Sequence, residues 1–117
     1  MENITIWHNN RCSKSREAME ILNSKNIKPK VIKYLEDNIT TNDIKEVLGL
    51  LEITPRELMR TKEDIYKELN LKDENSDDKL IEMMVKYPKL IERPIIIKDG
   101  RAVIARPMEN LERLLDN

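Results

Sequence analysis

The chain contains one cysteine, Cys12, and its neighbours give it the features of a reactive thiol. His8, Arg11, Lys14 and Arg16 surround it in sequence, at the point where a loop turns into a predicted helix. Such cationic settings at a helix start lower the pKa of a cysteine from ~8.5 to roughly 3.5–7.5. A buried packing residue is the alternative, but that cysteine would be expected within an apolar helix face. The pattern therefore favours a thiolate nucleophile.

The same segment has the features of an oxyanion site. The first N–H groups of a helix are unpaired and carry the positive end of its dipole, so they attract anions. Ser13 and Ser15 either add hydroxyl donors or cap the helix. Arg93 and Arg106 each precede a proline at the end of a predicted strand, where functional residues gather. Periodicity alone does not select these two, or Arg60, from the eight arginines of the chain.

Composition excludes several other kinds of partner. With 21 basic and 22 acidic residues the formal net charge is -1, so no overall field would hold the protein on nucleic acid or an anionic membrane. The N-terminus lacks the pattern of a signal peptide, and no apolar run approaches the ~20 residues of a membrane span. A single cysteine excludes an internal disulfide and a multi-cysteine metal site. We therefore expect a cytoplasmic protein.

Hydrophobic periodicity predicts an α/β fold in which the thiol follows the first strand. Residues 4–7 form a β-branched apolar run, a helix carries Ala18, Ile21 and Leu22, and a second strand covers residues 31–35. A β-α-β unit requires a parallel pair with a right-handed crossover. Near the C-terminus, Asp99-Gly100 predicts a hairpin between strands at 95–97 and 102–104. A last helix follows, with Met108, Leu111, Leu114 and Leu115 on its packing face.

The middle of the chain is predicted to be helical. A helix carries Ile44, Val47, Leu48 and Leu51 after a cap at residue 40, 41 or 42. Thr54, Pro55 and Glu57 have the types and spacing of a second helix start, and residues 65–69 suggest a short third helix. Ser76 caps a fourth helix, which Pro88 follows. With 117 residues and no linker, we expect one domain over residues 1–117, with a helical insert at about 40–88.

Four separated motifs give the chain a resemblance to a known family over essentially its whole length. They are His8-Asn9-Asn10-Arg11-Cys12-Ser13-Lys14-Ser15-Arg16, Arg56-Glu57-Leu58-Met59-Arg60-Thr61-Lys62, Ile91-Glu92-Arg93-Pro94-Ile95-Ile96 and Ala105-Arg106-Pro107. In this order they resemble the glutaredoxin- and glutathione-dependent arsenate reductase (ArsC) family. The resemblance implies a thioredoxin-like fold with a four-stranded mixed sheet, and a cis proline at Pro94 beside the thiol.

The resemblance also implies a role for each site residue. Cys12 is the nucleophile that attacks arsenate, and His8 supports the thiolate, a role that we extend to Ser15. The oxyanion ligands are Arg60, Arg93 and Arg106. No metal and no bound cofactor are expected. Since the chain has no second cysteine, the reducing equivalents must come from an external thiol such as glutathione and then from a glutaredoxin.

Two alternative functions remain open at this point. The sibling Spx regulators bind RNA polymerase and are similar in length and fold, but they typically carry C-x-x-C, whereas Ser15 occupies the second position here. A monothiol glutaredoxin-like exchange enzyme would need the Cys12 thiolate but no arginine cage. One departure from the reductase pattern is Asn10, where the family usually has proline.

Overall fold

The computed structural model describes residues 3–116, which form two compact units. The first comprises residues 3–37 and 93–116, and the second comprises residues 38–92. In chain order the strands and helices are β1 (Ile4–Trp7), α1 (Ser13–Ser24), β2 (Lys30–Ile32), α2 (Thr41–Leu51), α3 (Pro55–Leu58), α4 (Asp64–Glu68), α5 (Asp77–Lys86), β3 (Ile95–Lys98), β4 (Arg101–Ile104) and α6 (Glu109–Asp116). Short 3-10 turns at Leu71–Asp73 and Pro88–Leu90 were not predicted.

The first unit is built on a mixed four-stranded sheet with the order β2-β1-β3-β4. β1 pairs with β2 in parallel and with β3 antiparallel, and β3 and β4 form the antiparallel hairpin that Asp99-Gly100 predicted. Gly100 has φ of +81°, which favours glycine at this turn. The element order and the mixed sheet confirm the predicted thioredoxin-like α/β fold.

The second strand is shorter than predicted. β2 ends at Ile32, because the chain then turns: the N–H groups of Glu36 and Asp37 both donate to the carbonyl oxygen of Lys33. Tyr34 nevertheless stays buried, since its ring stacks on Trp7 at a centroid distance of 6.3 Å. The apolar run at 31–35 therefore combines the end of the largely exposed strand β2 with one buried side chain, Tyr34, that follows it.

One hydrophobic core holds the first unit together. Side chains from β1, α1, β3 and α6 form it, with Ala105 between the hairpin and the last helix: Ile4, Ile6, Ala18, Leu22, Ile96, Ala105, Leu111 and Leu114. Lys98 is buried beside this core, and its ammonium group donates to the carbonyl oxygens of Leu114 and Leu115. This places a cation at the negative end of α6, where a helix dipole is stabilised.

The second unit is helical, and side-chain caps define the starts of α2, α3 and α5. Thr40 caps α2 and Thr54 caps α3, each in a reciprocal capping box with Asp43 or Glu57. Ser76 caps α5 by accepting from a backbone N–H one turn later. These caps confirm the predicted starts. The second unit also contains an isolated antiparallel bridge between Met59 and Ile91, which periodicity did not indicate.

Candidate active site

Cys12 is the N-cap residue of α1, as its position in the sequence predicted. Its backbone is extended, with φ of -96° and ψ of 121°, and its N–H donates to the carbonyl oxygen of Asn9 over 3.0 Å. Its thiol forms no disulfide, and the residue is only 7% exposed. The sulfur is therefore both shielded from bulk water and placed at the end of a helix where backbone N–H groups are unpaired.

His8 and Ser15 form a buried pair behind the thiol loop, which we define as residues 8–12 between β1 and α1. His8 Nδ1 lies 2.6 Å from Ser15 Oγ, and the N–H of Asn9 donates to the same hydroxyl oxygen over 3.0 Å. Ser15 is fully buried and its hydroxyl is engaged by these two contacts, so it neither donates to an oxyanion nor caps α1, whose N-cap is Cys12; both sequence interpretations of Ser15 were wrong. We assign Ser15 Oγ–H as the donor and His8 Nδ1 as the acceptor, so the neutral ring carries its own proton on Nε2.

Two of the three predicted arginines meet the thiol loop within the first unit. Arg106 Nη2 lies 3.5 Å from the Cys12 sulfur, while its Nε donates to the carbonyl oxygen of Arg93 over 2.7 Å. Arg93 precedes β3 and its positive charge also acts on Cys12. The peptide bonds before Pro94 and Pro107 are both cis, and the first of these is the one that the resemblance implied.

The pKa of the Cys12 thiol is below its ordinary value, as predicted. Burial raises this pKa, but the backbone N–H of Ser15, the charge of Arg93, the backbone N–H of Lys14 and the charge of Arg106 together lower it more. From the sequence we expected the nearest cations along the chain to lower this pKa. The charges that lower it are instead those of Arg93 and Arg106. The cations nearest in sequence are exposed, and one of them, Arg16, donates to the Asn10 carbonyl oxygen over 2.9 Å.

The pKa of His8 is also below its ordinary value. Burial is the main cause and the charge of Lys33 adds to it, whereas a hydrogen bond with the Asn10 side chain acts in the opposite direction. At neutral pH the ring is therefore uncharged. This geometry suits His8 to fixing the loop through Ser15 rather than to donating a positive charge to the thiolate.

Arg60 lies in the second unit, where it is held by acidic neighbours. Its Nη1 is 3.3 Å from a carboxylate oxygen of Glu63, and its Nε is 3.5 Å from one of Glu92. Its backbone N–H donates to the carbonyl oxygen of Leu90 over 2.7 Å. These contacts order the guanidinium and offset part of its charge within that unit.

Two asparagines shape the site and were not singled out in the sequence. Asn9 accepts from the N–H of Arg11 through its side chain and from the N–H of Cys12 through its backbone, which closes the thiol loop. Asn110 donates from Nδ2 to the carbonyl oxygens of Ile104 and Arg106, so it fixes the segment that carries the Arg106 side chain. The preference of asparagine for turns signalled only the first of them.

Among residues 3–116, no three or more His, Cys, Asp or Glu side chains come together in a way that could hold a metal ion. The same residues include no helix that is long and apolar enough to cross a membrane. The fold and the geometry around Cys12 define a thioredoxin-like protein with one activated thiol and two adjoining arginines.

Comparison with known proteins agrees with this description. The sequence profile of the ArsC family matches residues 7–114. An Escherichia coli protein described as uncharacterized, YfgD, is 48% identical over 112 residues, which cover 92% of each chain. An arsenate reductase of Neisseria meningitidis is 41% identical over 98% of this chain and 100% of its own. A solved arsenate reductase structure from Vibrio cholerae superimposes with a TM-score of 0.92 at 44% identity, covering 96% of this chain and 97% of its own. The chain belongs to the ArsC family.

Proposed function

We propose that the protein is an arsenate reductase in which Cys12 is the nucleophile. The observation that carries this proposal is the guanidinium of Arg106, which lies 3.5 Å from a buried thiol whose pKa is lowered. A thiolate beside fixed cationic donors suits attack on a tetrahedral oxyanion, because the same donors offset the charge of its oxygens. The arsenate reductases to which the chain is similar support this choice of oxyanion.

The reaction begins when the Cys12 thiolate attacks the arsenic of bound arsenate and forms a sulfur–arsenic bond. One arsenate oxygen takes up protons and leaves as water, while Arg93 and Arg106 offset the negative charge of the remaining oxygens. Arg60 is retained as a third ligand on the resemblance of its motif. His8 and Ser15 keep the loop in the geometry that presents the sulfur.

Reduction of arsenic(V) to arsenic(III) takes two electrons, and the chain has no second cysteine to supply them. Two external thiols provide these electrons and leave as one disulfide: first a low-molecular-weight thiol such as glutathione, then a glutaredoxin. Arsenite is released and the Cys12 thiolate is restored. We assign this chemistry to the cytoplasm, where thiols are kept reduced. No bound cofactor or metal enters the scheme.

The test is arsenate-dependent NADPH oxidation in an assay with glutathione, a glutaredoxin and glutathione reductase. Oxidation that requires both arsenate and Cys12 is the expected result. If the protein instead reduces glutathionylated substrates without arsenate, it is a monothiol exchange enzyme and the proposal is wrong. Capture of RNA polymerase by a protein that is inactive in both assays would identify a regulator of the Spx type.

A further inference from the structure

A cavity of about 450 Å³ adjoins the thiol loop within the first unit. One wall is the loop itself and the other is the turn that follows β2: His8, Asn9, Asn10, Arg11, Lys33, Leu35 and Glu36. It therefore lies outside the carboxyl ends of the parallel strands β1 and β2. In open α/β sheets this is the position where ligands bind.

The lining of the cavity combines charges of both signs with one apolar side chain. Arg11 and Lys33 supply positive charge and Glu36 supplies negative charge. Within residues 3–116 these three side chains form no salt bridge with the protein. Leu35 is 43% exposed although it is a large hydrophobic residue. A complementary ligand carries a carboxylate, an ammonium group and a short apolar portion.

The second wall is held in place by hydrogen bonds that its backbone N–H groups donate within the turn. The N–H of Lys33 donates to a carboxylate oxygen of Asp37 over 3.0 Å, and the N–H of Glu36 donates to the Lys33 carbonyl oxygen over 2.8 Å. The first wall is fixed by the hydrogen bond between Ser15 Oγ and His8 Nδ1. Fixed walls reduce the ordering cost of binding a small ligand.

The sheet order separates this cavity from the arginines. β1 carries the thiol loop at its end and lies between β2 and β3, so the turn after β2 flanks the loop on one side. Arg93, which precedes β3, and Arg106, which contacts the Cys12 sulfur, belong to the other side. An oxyanion held by these arginines leaves the cavity available to a second reactant.

We propose that the cavity binds the small peptide thiol that donates electrons to the Cys12 adduct, with the carboxylate of the thiol at Arg11 and Lys33 and its ammonium group at Glu36. The inference rests on the proposed function, since that function requires an external thiol. The inference adds where this thiol binds and which charges select it.

Binding is tested with S-methylglutathione, which has the charges of a peptide thiol but no reactive sulfur. Because His8 is the only histidine and lines the cavity, its ring signals in an NMR titration report binding without interference. We expect saturable shifts of these signals and of the amides at residues 33–36. Lys33→Met and Glu36→Gln should each weaken binding by about two- to fivefold, as for single exposed ion pairs.

The ammonium contact is tested by pairing a variant with a changed probe. Acetylating the amino group of S-methylglutathione should weaken binding to the wild type but have little further effect on Glu36→Gln. Lys30→Met and Glu20→Gln are matched controls, since both residues are exposed and do not line the cavity. Equal weakening by a control and its cavity variant would overturn the inference.

These measurements need no arsenate, so their outcome is separate from that of the reductase assay. If arsenate reduction is observed but S-methylglutathione gives no shift at residues 33–36, the cavity proposal is wrong and the proposed function stands. In the coupled assay, Lys33→Met should raise the KM for glutathione two- to fivefold while leaving the KM for arsenate unchanged. A rise in the KM for arsenate alone would also contradict the inference.

Discussion

The two units of the protein are specified in different ways. In residues 38–92, each capped helix start is fixed by partners a few positions apart, such as Thr40 with Asp43 and Thr54 with Glu57. In the other unit, Cys12 meets Arg106 across 94 positions of sequence. Local patterns therefore define most helices of the second unit, whereas the reactive geometry depends on the sheet that brings distant segments together.

Removal of the Cys12 thiol should have the largest effect on activity. We expect Cys12→Ser to abolish arsenate reduction in the coupled assay while the protein still folds, because serine is nearly isosteric but hardly ionised at neutral pH. Circular dichroism checks the fold of the variant. Turnover near that of the wild type would show that the chemistry lies elsewhere in the chain.

Arg93 should give the next largest loss of activity. A charge-assisted hydrogen bond contributes roughly 1.5–3 kcal/mol, so Arg93→Ala should lose on the order of ten- to a hundredfold in kcat/KM. Arg93→Lys should lose less but not recover fully, since a lysine ammonium lacks the planar fork of two donors. Steady-state kinetics with arsenate measure both variants.

Arg101 and Arg113 are controls for Arg93, and the kcat/KM of their alanine variants should stay near that of the wild type.

Arg60→Ala tests the contribution of the second unit to anion binding. We expect a smaller loss than for Arg93→Ala, because Glu63 and Glu92 already offset part of the Arg60 charge. A larger loss for Arg60 would mean that the second unit contributes more to anion binding than the first.

Arg56 should dominate the stability of the second unit. It donates to the hydroxyl of Tyr66 and to the carbonyl oxygens of Leu71 and Glu74, so one guanidinium joins three parts of the insert. Arg56→Ala should lower the free energy of unfolding by about 2–3 kcal/mol, measured by chemical denaturation. The pKa of Cys12 in the same variant should not change. A rise in that pKa would show that Arg56 also contributes to activation of the thiol, which we do not expect.

The pH dependence of Cys12 tests the source of its activation. Its lowered pKa should give a thiolate, detected by ultraviolet absorbance or by the rate of alkylation, at pH values below the range of an ordinary cysteine. Arg106→Ala should raise this pKa, because it removes a positive charge 3.5 Å from the sulfur. Arg16→Ala, at a nearer position in sequence, should leave it almost unchanged.

The smallest expected effect concerns His8, the only histidine. Its NMR titration should give a pKa below the ordinary value, Lys33→Met should raise that pKa, and Asn10→Ala should lower it further. Because the folded chain binds this proton less readily than the unfolded chain, this group makes stability fall as pH drops from ~6.5 toward the lower folded pKa. If both variants shifted the His8 pKa in the same direction, the opposite effects assigned to Lys33 and Asn10 would be wrong.

Much of this protein followed from the sequence alone. The β-branched apolar run at 4–7, the Asp99-Gly100 turn and the caps at Thr54 and Ser76 act over a few residues, so the strands and helices were predictable with small errors such as the end of β2. The position of Cys12 at the start of α1 was determined in the same way. Local backbone sterics and side-chain caps are sufficient for these features.

Which charged side chains lower the pKa of the Cys12 thiol depends on the tertiary structure. Arg11 and Arg16 are near Cys12 in sequence, yet Arg93 and Arg106 lower its pKa, because electrostatic interaction depends on distance in space and on burial. The cavity beside the turn after β2 likewise depends on how β1 and β2 place their loops side by side. Such long-range contacts follow from sheet order, which no local pattern encodes.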